Sequence, residues 1–147
     1  MALISHKRAR YDYDILDTYE AGISLFGTEV KSLRGGQGKL DGAYVVIRGG
    51  EALLVGASIP PFQQKNAPGD YDPERARTLL LTAKQLVELE QKSEKQGLTI
   101  VPLSLYNKGR LLKLEIAVAR GKKKTDKRQS IMKRETDRNI RRELKRG

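Results

Sequence analysis

The clearest periodicity in the chain lies at Leu111–Ala119, where Leu112, Leu114, Ile116 and Val118 alternate with Leu111, Lys113, Glu115 and Ala117. Successive side chains on a strand point to opposite faces, so this stretch predicts a strand with one wholly apolar face. Leu98–Tyr106 precedes it across Asn107-Lys108-Gly109-Arg110, and the two read as a hairpin. Pro102 lacks an N–H, which argues for a bulge or a sheet edge at that point. A second hairpin joins Ala43–Arg48 to Glu51–Ala57 through Gly49-Gly50, because two glycines meet the positive φ angles of a tight primed turn. Tyr11–Phe26 and Arg75–Leu81 read as extended, rich in aromatic, branched and leucine side chains. Helical spacing governs Ala83–Gln96, opened by a Thr82/Gln85 capping box, stopped by Gly97, and docking Ala83, Leu86, Val87 and Leu89 inward. A shorter helix over Glu29–Arg34 is expected to take Thr28 as its cap and to stop at Gly35-Gly36. Pro60-Pro61 breaks the preceding strand, and Phe62–Glu74 is a polar surface loop.

About six mostly antiparallel strands, one good helix and one short one predict a mainly β fold: an OB-like antiparallel barrel over residues 1–120, with the helix covering an end. A two-layer α+β sandwich is the competing architecture. Neither an internal repeat nor a second core is visible.

Charge changes this picture at one end only. The chain of 147 residues carries 29 Lys and Arg against 18 Asp and Glu, a formal net charge of +11. Residues 121–147 hold 12 of the cations and four of the acids, so +8 belongs to this last stretch. Its sizeable apolar residues are few: Ile131, Met132, Ile140 and Leu144. The stripe they make is too thin to hold a helix against a core, so a basic, conditionally helical tail is expected to order on a polyanion. A solvated helical end kept for solubility is the plainer alternative. The chain has no cysteine, which removes disulfide and zinc–thiolate chemistry and fits a reducing compartment. With no apolar run long enough to span a bilayer and no hydrophobic signal core, a cytoplasmic protein with anionic partners is expected.

Catalytic and metal patterns fail on their residues. For a phosphate loop at Gly38-Lys39 the leading glycine is Leu33 and the next residue is Leu40; at Gly121-Lys122 the leading position is Ile116. Asp70, Asp72 and Glu74 alternate as in a calcium loop, yet Arg75 and Leu81 replace its glycine and bidentate glutamate. His6 is the lone histidine, so neither a nucleophilic triad nor a zinc site is expected. The reading is a non-enzyme without cofactor or metal. Arg8, Arg10, Tyr11, Tyr13, Tyr19 and Glu20 interleave aromatic with charged side chains, a pattern suited to RNA: tyrosine offers a stacking face, arginine a phosphate contact. Packed strand tyrosines are the ordinary alternative for each member of that set.

Several strings together resemble the SsrA-binding protein (SmpB) family of bacterial trans-translation: KRARYDY (7–13), YEAGISLFGTEVKSLRGG (19–36), GEALLVGASIPP (50–61), RTLLL (77–81), LTIVPLSLYNKGRLLKLEIAVARGKK (98–123) and DKR (126–128). They cover nearly the whole chain in order. The resemblance implies an OB-like barrel that binds the tRNA-like domain of transfer-messenger RNA near its D-loop elbow. It also implies a tail that enters the empty messenger channel of a stalled 70S ribosome near the decoding centre, so that the ribosome is rescued and the nascent chain tagged. The implied protein is a monomer with RNA and ribosome partners and no membrane role. A general ribosomal or single-strand RNA-binding barrel is the alternative.

The RNA-binding candidates are Arg8, Arg10, Tyr11, Glu20, Lys31, Arg34, Leu80 and Thr82, of which the resemblance carries over Tyr11, Glu20, Leu80 and Thr82 by position. Glu20, in EAG, would accept hydrogen bonds from base amino groups or a 2′-OH, as lysine cannot. Leu80 falls where the family has an RNA-facing apolar residue. Thr82 replaces a polar residue, commonly Asn, and reads mainly as the helix cap; Tyr11 replaces a common His and keeps a ring. Gly121, Lys122, Lys123, Asp126, Lys127, Arg128, Lys133 and Arg134 would engage the ribosome, while Thr125 departs from the aromatic or His of many members. From Ser130 onward the tail would form a helix of about 25 Å along the channel, at 1.5 Å per residue.

Overall fold

A computed structural model of the chain describes residues 2–62 and 71–122. Its strands are β1 (Ala2–Ser5), β2 (Tyr13–Ile23), β3 (Tyr44–Arg48), β4 (Glu51–Val55), β5 (Arg77–Leu80), β6 (Leu98–Lys108) and β7 (Leu111–Gly121). The helices are α1 (Ala9–Asp12), α2 (Gly27–Arg34) and α3 (Ala83–Ser93). All strand pairings are antiparallel, in the order β1-β6-β3-β4-β5-β2-β7, and a β6–β7 pairing closes six of the seven strands into a ring. The barrel expected from the sequence is therefore present, with β1 added to the outer edge of β6.

The long strands β2, β7 and β6 make most of the wall. The ring is thin elsewhere: β3 meets β6 at the pair Val45↔Ile100, and β2 meets β5 at Gly22↔Leu80 and Ile23↔Leu79. Apolar alternation on β7 does what its pattern demands. Leu112, Leu114, Ile116 and Val118 face the interior, joined there by Leu40, Leu54, Ile59, Ile100 and Leu105. Helices α2 and α3 each place one leucine, Leu33 and Leu89, completely out of solvent in this core. Burying such a side chain contributes about 1.5–3 kcal/mol.

The other face of β6–β7 is not uniformly solvated. Ala117 and Ala119 join Val101 and Leu103 in a second apolar cluster, with Ala9 of α1 sealing it and Tyr13 and Ile15 at its side. The N-terminal arm docks there because β6 is bulged between Pro102 and Ser104, at the residue whose missing N–H would break a regular ladder. The His6 N–H donates to the Leu103 carbonyl at 2.8 Å, and His6 Nδ1 lies 3.1 Å from the Pro102 carbonyl. A carbonyl only accepts, so Nδ1 carries the proton.

Four local expectations need correction. Tyr11 lies in the one-turn α1, and the strand begins at Tyr13. Thr28 does not cap α2: its Oγ1 accepts from the Phe62 N–H at 2.9 Å, while the Glu29 carboxylate reaches back to the Phe26 N–H at 2.7 Å. The helix opened by Thr82 ends at Ser93 and not Gln96, followed by a turn before Gly97. Finally, Ala83 and Val87 face solvent, Val87 at 57% exposure. An 11-residue helix buries one narrow side, and only Leu86 and Leu89 reach it.

Candidate nucleic-acid interface

Glu20 sits in the middle of β2 with its side chain on the outer face of the barrel wall. Its neighbour across the ladder is Glu115, an arrangement that like charges disfavour. The repulsion is relieved on the Glu20 side: Tyr106 donates its phenol proton to Oε2, and Lys108 donates to Oε1 at 2.9 Å. The Tyr106 hydrogen bond, then that of Lys108, hold the Glu20 carboxyl below its ordinary pKa. Burial first, and then the Glu20 carboxylate, push the Tyr106 phenol up to about 12. At neutral pH the site is thus a fixed carboxylate with an oriented hydroxyl and an ammonium beside it.

Gly22 lies one outward position along from Glu20, and its place on the wall is covered by Leu80 from β5. A Cβ on Gly22 would meet the Leu80 Cβ at 3.1 Å. The inward neighbour Leu79 is 3% exposed, whereas Leu80 is 61% exposed. A β5 pattern of Leu79-Leu80-Leu81 leaves the choice of face open, and the register with β2 settles it. Glu20 and Leu80 are thereby neighbours on one surface, acid beside apolar. Thr82 begins α3 just beyond, with its hydroxyl accepting from the Gln85 N–H at 3.1 Å and the Gln85 side chain accepting from the Thr82 N–H at 3.1 Å. Its side chain serves the helix.

A second group gathers at the far end of the same ladder. Arg8 stacks over the Tyr11 ring at 4.5 Å and lies 3.7 Å from Asp12. Tyr13 pairs with Gly121, the Lys122 N–H donates to the Asp12 carbonyl at 2.9 Å, and Lys122 Nζ donates to the Arg10 carbonyl at 3.1 Å. The start of the basic stretch is therefore bound to α1, and Arg8, Arg10, Tyr11, Gly121 and Lys122 form one neighbourhood. From Gly121 to Glu115 is six ladder positions, or roughly 20 Å, along the same two strands, so the two groups lie on one continuous wall.

Arg34 donates from α2 to the carbonyl of Arg110 in the β6–β7 turn at 2.9 Å, two residues beyond Lys108. Lys31 is exposed on α2, and no described contact joins it to the others. Lys123, Asp126, Lys127, Arg128, Lys133 and Arg134 lie outside the described residues.

Sequence reasoning did not find Tyr106, Lys108 or Glu115. Tyr106 and Lys108 do share a face at period two, but only the β6–β7–β2 register shows that this face carries Glu20. The Glu29 node was missed as well. Glu29 and Arg77 are fully buried, with Glu29 Oε2 accepting from Arg77 at 2.7 Å and Oε1 from Arg75 at 2.5 Å. Burial raises the Glu29 pKa, but hydrogen bonds from Arg75, the Phe26 N–H and Arg77 outweigh it and hold the group below its ordinary value. This node joins α2 to β5 and is structural. Among the described residues no cluster of His, Cys, Asp and Glu could hold a metal ion, and no helix is long and apolar enough to cross a membrane.

Residues 3–146 match the family model described as SmpB protein. An SsrA-binding protein of Oleidesulfovibrio alaskensis is 49% identical over 146 residues, 99% of this chain and 94% of the relative. One from Roseiflexus sp. (strain RS-1) is 49% identical over 140 residues, 95% and 89% of the two chains, and one from Gloeobacter violaceus is 45% identical over 144 residues, 98% and 94%. A solved structure described as "tmRNA-SmpB: a journey to the center of the bacterial ribosome" is similar with a TM-score of 0.70 and 41% identity, covering 98% of each chain.

Proposed function

The chain belongs to the SmpB family of SsrA-binding proteins, and from that premise we propose that it is the RNA-binding adaptor of trans-translation. It binds the tRNA-like domain of transfer-messenger RNA and brings it to stalled ribosomes. The protein does no chemistry of its own and works in the cytoplasm as a monomer. Recognition belongs to the barrel, residues 1–120, and ribosome engagement to residues 121–147, which occupy the vacant messenger channel.

The observation that carries the reading is the placing of Glu20 beside exposed Leu80 on one wall of a protein of net charge +11. A phosphate binder has no use for a fixed carboxylate, which repels the backbone. A reader of 2′-hydroxyls and base edges does, because a carboxylate accepts what lysine and arginine cannot. Leu80 supplies apolar contact for a ribose or base beside it. Arg8, Arg10 and Tyr11 stand at the other end of the wall, where backbone phosphates and an unstacked base find partners. Lys31 and Arg34 add charge from α2. Messenger RNA and the tail compete for one volume, so an occupied channel excludes the adaptor.

Competition binding tests this. The tRNA-like domain should displace labelled tRNA-like RNA at much lower concentration than an unstructured RNA of equal length. Equal competition would favour a general single-strand binder.

A further inference from the structure

His6 is nine-tenths buried, 8% exposed, and of its two ring nitrogens only Nδ1 has a hydrogen-bond partner among the described residues, the Pro102 carbonyl. With the proton on Nδ1, Nε2 is a bare acceptor. The ring lines a cleft of about 460 Å³ between the N-terminal arm and the outer wall, shared with Ser5, Lys7, Arg10, Ser104 and Glu115. A buried polar atom without a partner is costly unless something fills the role. Glu115 faces the same cleft, and unlike its opposite neighbour Glu20 it has no ion pair or hydrogen-bond partner among the described residues. The cations of the arm divide likewise: Arg8 is engaged by Asp12 and Tyr11, while the charged ends of Lys7 and Arg10 have no described partner.

We propose that this cleft is a ribonucleotide subsite, in which Lys7 and Arg10 hold a backbone phosphate, Glu115 accepts the 2′-hydroxyl proton of the adjoining ribose and His6 Nε2 accepts from a base N–H of the same nucleotide. The proposal rests on the RNA-binding reading above and adds to it a place where RNA is told from DNA. Two acceptors next to two cations require a ligand that presents a donor close to an anion. In a polynucleotide the donor nearest a phosphate is the 2′-OH, and only RNA has it. Ser5 and Ser104 donate or accept as the ribose requires. The volume suits one nucleotide. The cleft adjoins Glu20 across the β2–β7 ladder, so both contacts fall on one run of RNA.

The solitary histidine makes the test specific, because the imidazole nitrogens give a single pair of resonances in the ¹⁵N-labelled full chain. Saturation with the tRNA-like domain should shift the Nε2 signal while the Nδ1 signal stays near its free position. In parallel, binding is selected from a pool of tRNA-like RNAs, each carrying a few 2′-deoxy substitutions at random. One or two ribose positions should interfere in the wild type and cease to interfere in Glu115→Gln, with affinity for all-ribose RNA falling about ten-fold. Charge alone argues the opposite, since removing an anion tightens a polyanion's binding. RNA that binds without moving Nε2, or a Glu115→Gln chain that binds as tightly or tighter with the same interference pattern, overturns the subsite and leaves the RNA-binding reading standing. Absence of RNA binding by the wild type overturns both.

Discussion

Replacing Glu29 by Gln keeps the shape of the side chain and removes the charge on which α2, β5 and the residues before β5 converge. The carboxylate meets two guanidinium groups, the Phe26 N–H and the Tyr71 hydroxyl. Arg77 is fully buried and its remaining bonds go to the carbonyls of Ala57 and Pro73 and to the Tyr71 hydroxyl. Arginine does not shed its proton in a protein, so the variant leaves an uncompensated charge in the interior. Breaking a buried pair in this way costs about 3–5 kcal/mol, a large part of the roughly 5–15 kcal/mol that holds a domain of this size. Urea denaturation followed by circular dichroism should read that loss as a lower midpoint. Glu29→Gln combined with Arg77→Met should recover much of it, since the interior then holds no unpaired charge.

The pH dependence has the same origin. The folded pKa of Glu29 lies below its unfolded value, so the stabilisation is complete above the ordinary carboxylate range. It is lost as pH falls through the depressed folded value. The wild type should therefore lose stability in acid more steeply than the double variant. A Glu29→Gln loss under about 1 kcal/mol, or a double variant no more stable than the single, would refute the reasoning.

Glu20→Gln removes an exposed acceptor and should leave the urea midpoint where it is, while lowering affinity for the tRNA-like domain about ten-fold; a barrel that unfolds instead makes Glu20 structural. Gly22→Ala places a Cβ 3.1 Å from that of Leu80 and should shift this leucine, costing about 1 kcal/mol or more together with RNA affinity, and unchanged affinity argues against Leu80 as a contact. Truncation after Lys122 keeps the tie of Lys122 to Asp12 and Arg10; RNA binding should survive and rescue of stalled ribosomes in a reconstituted translation system should vanish, whereas loss of both sinks the division of labour.

Where local pattern decides, the structure was legible in the sequence. The alternation on β7, the Gly49-Gly50 turn at φ 60° and 75° and the Thr82/Gln85 box each follow from a few neighbouring residues. Pro102 even marked its own bulge. What escaped were features made by distant segments. Nothing in ALISHKRARYDYD says that Ala9 seals a small apolar cluster on β6–β7, because the other half of that cluster lies some ninety residues away. The exposure of Leu80 depends on a register with β2, and the meeting of Glu20 with Tyr106 and Lys108 depends on two registers at once. Buried charge is the hardest to read. Glu29 resembles any first-turn glutamate until Arg75 and Arg77 are folded onto it. Leu80 and Thr82 came from a resemblance of strings, Arg8 and Arg10 from an interleaving of aromatic and charged residues, Tyr11 and Glu20 from both, and their spatial grouping came from the barrel.

The central claim is that this barrel selects one folded RNA. Its most direct test is to recover the full chain from a bacterial lysate and sequence the RNA bound to it. Transfer-messenger RNA should dominate the recovered species, and Glu20→Gln should reduce it relative to wild type. A broad mixture of messenger and ribosomal fragments, indifferent to Glu20, would contradict the account.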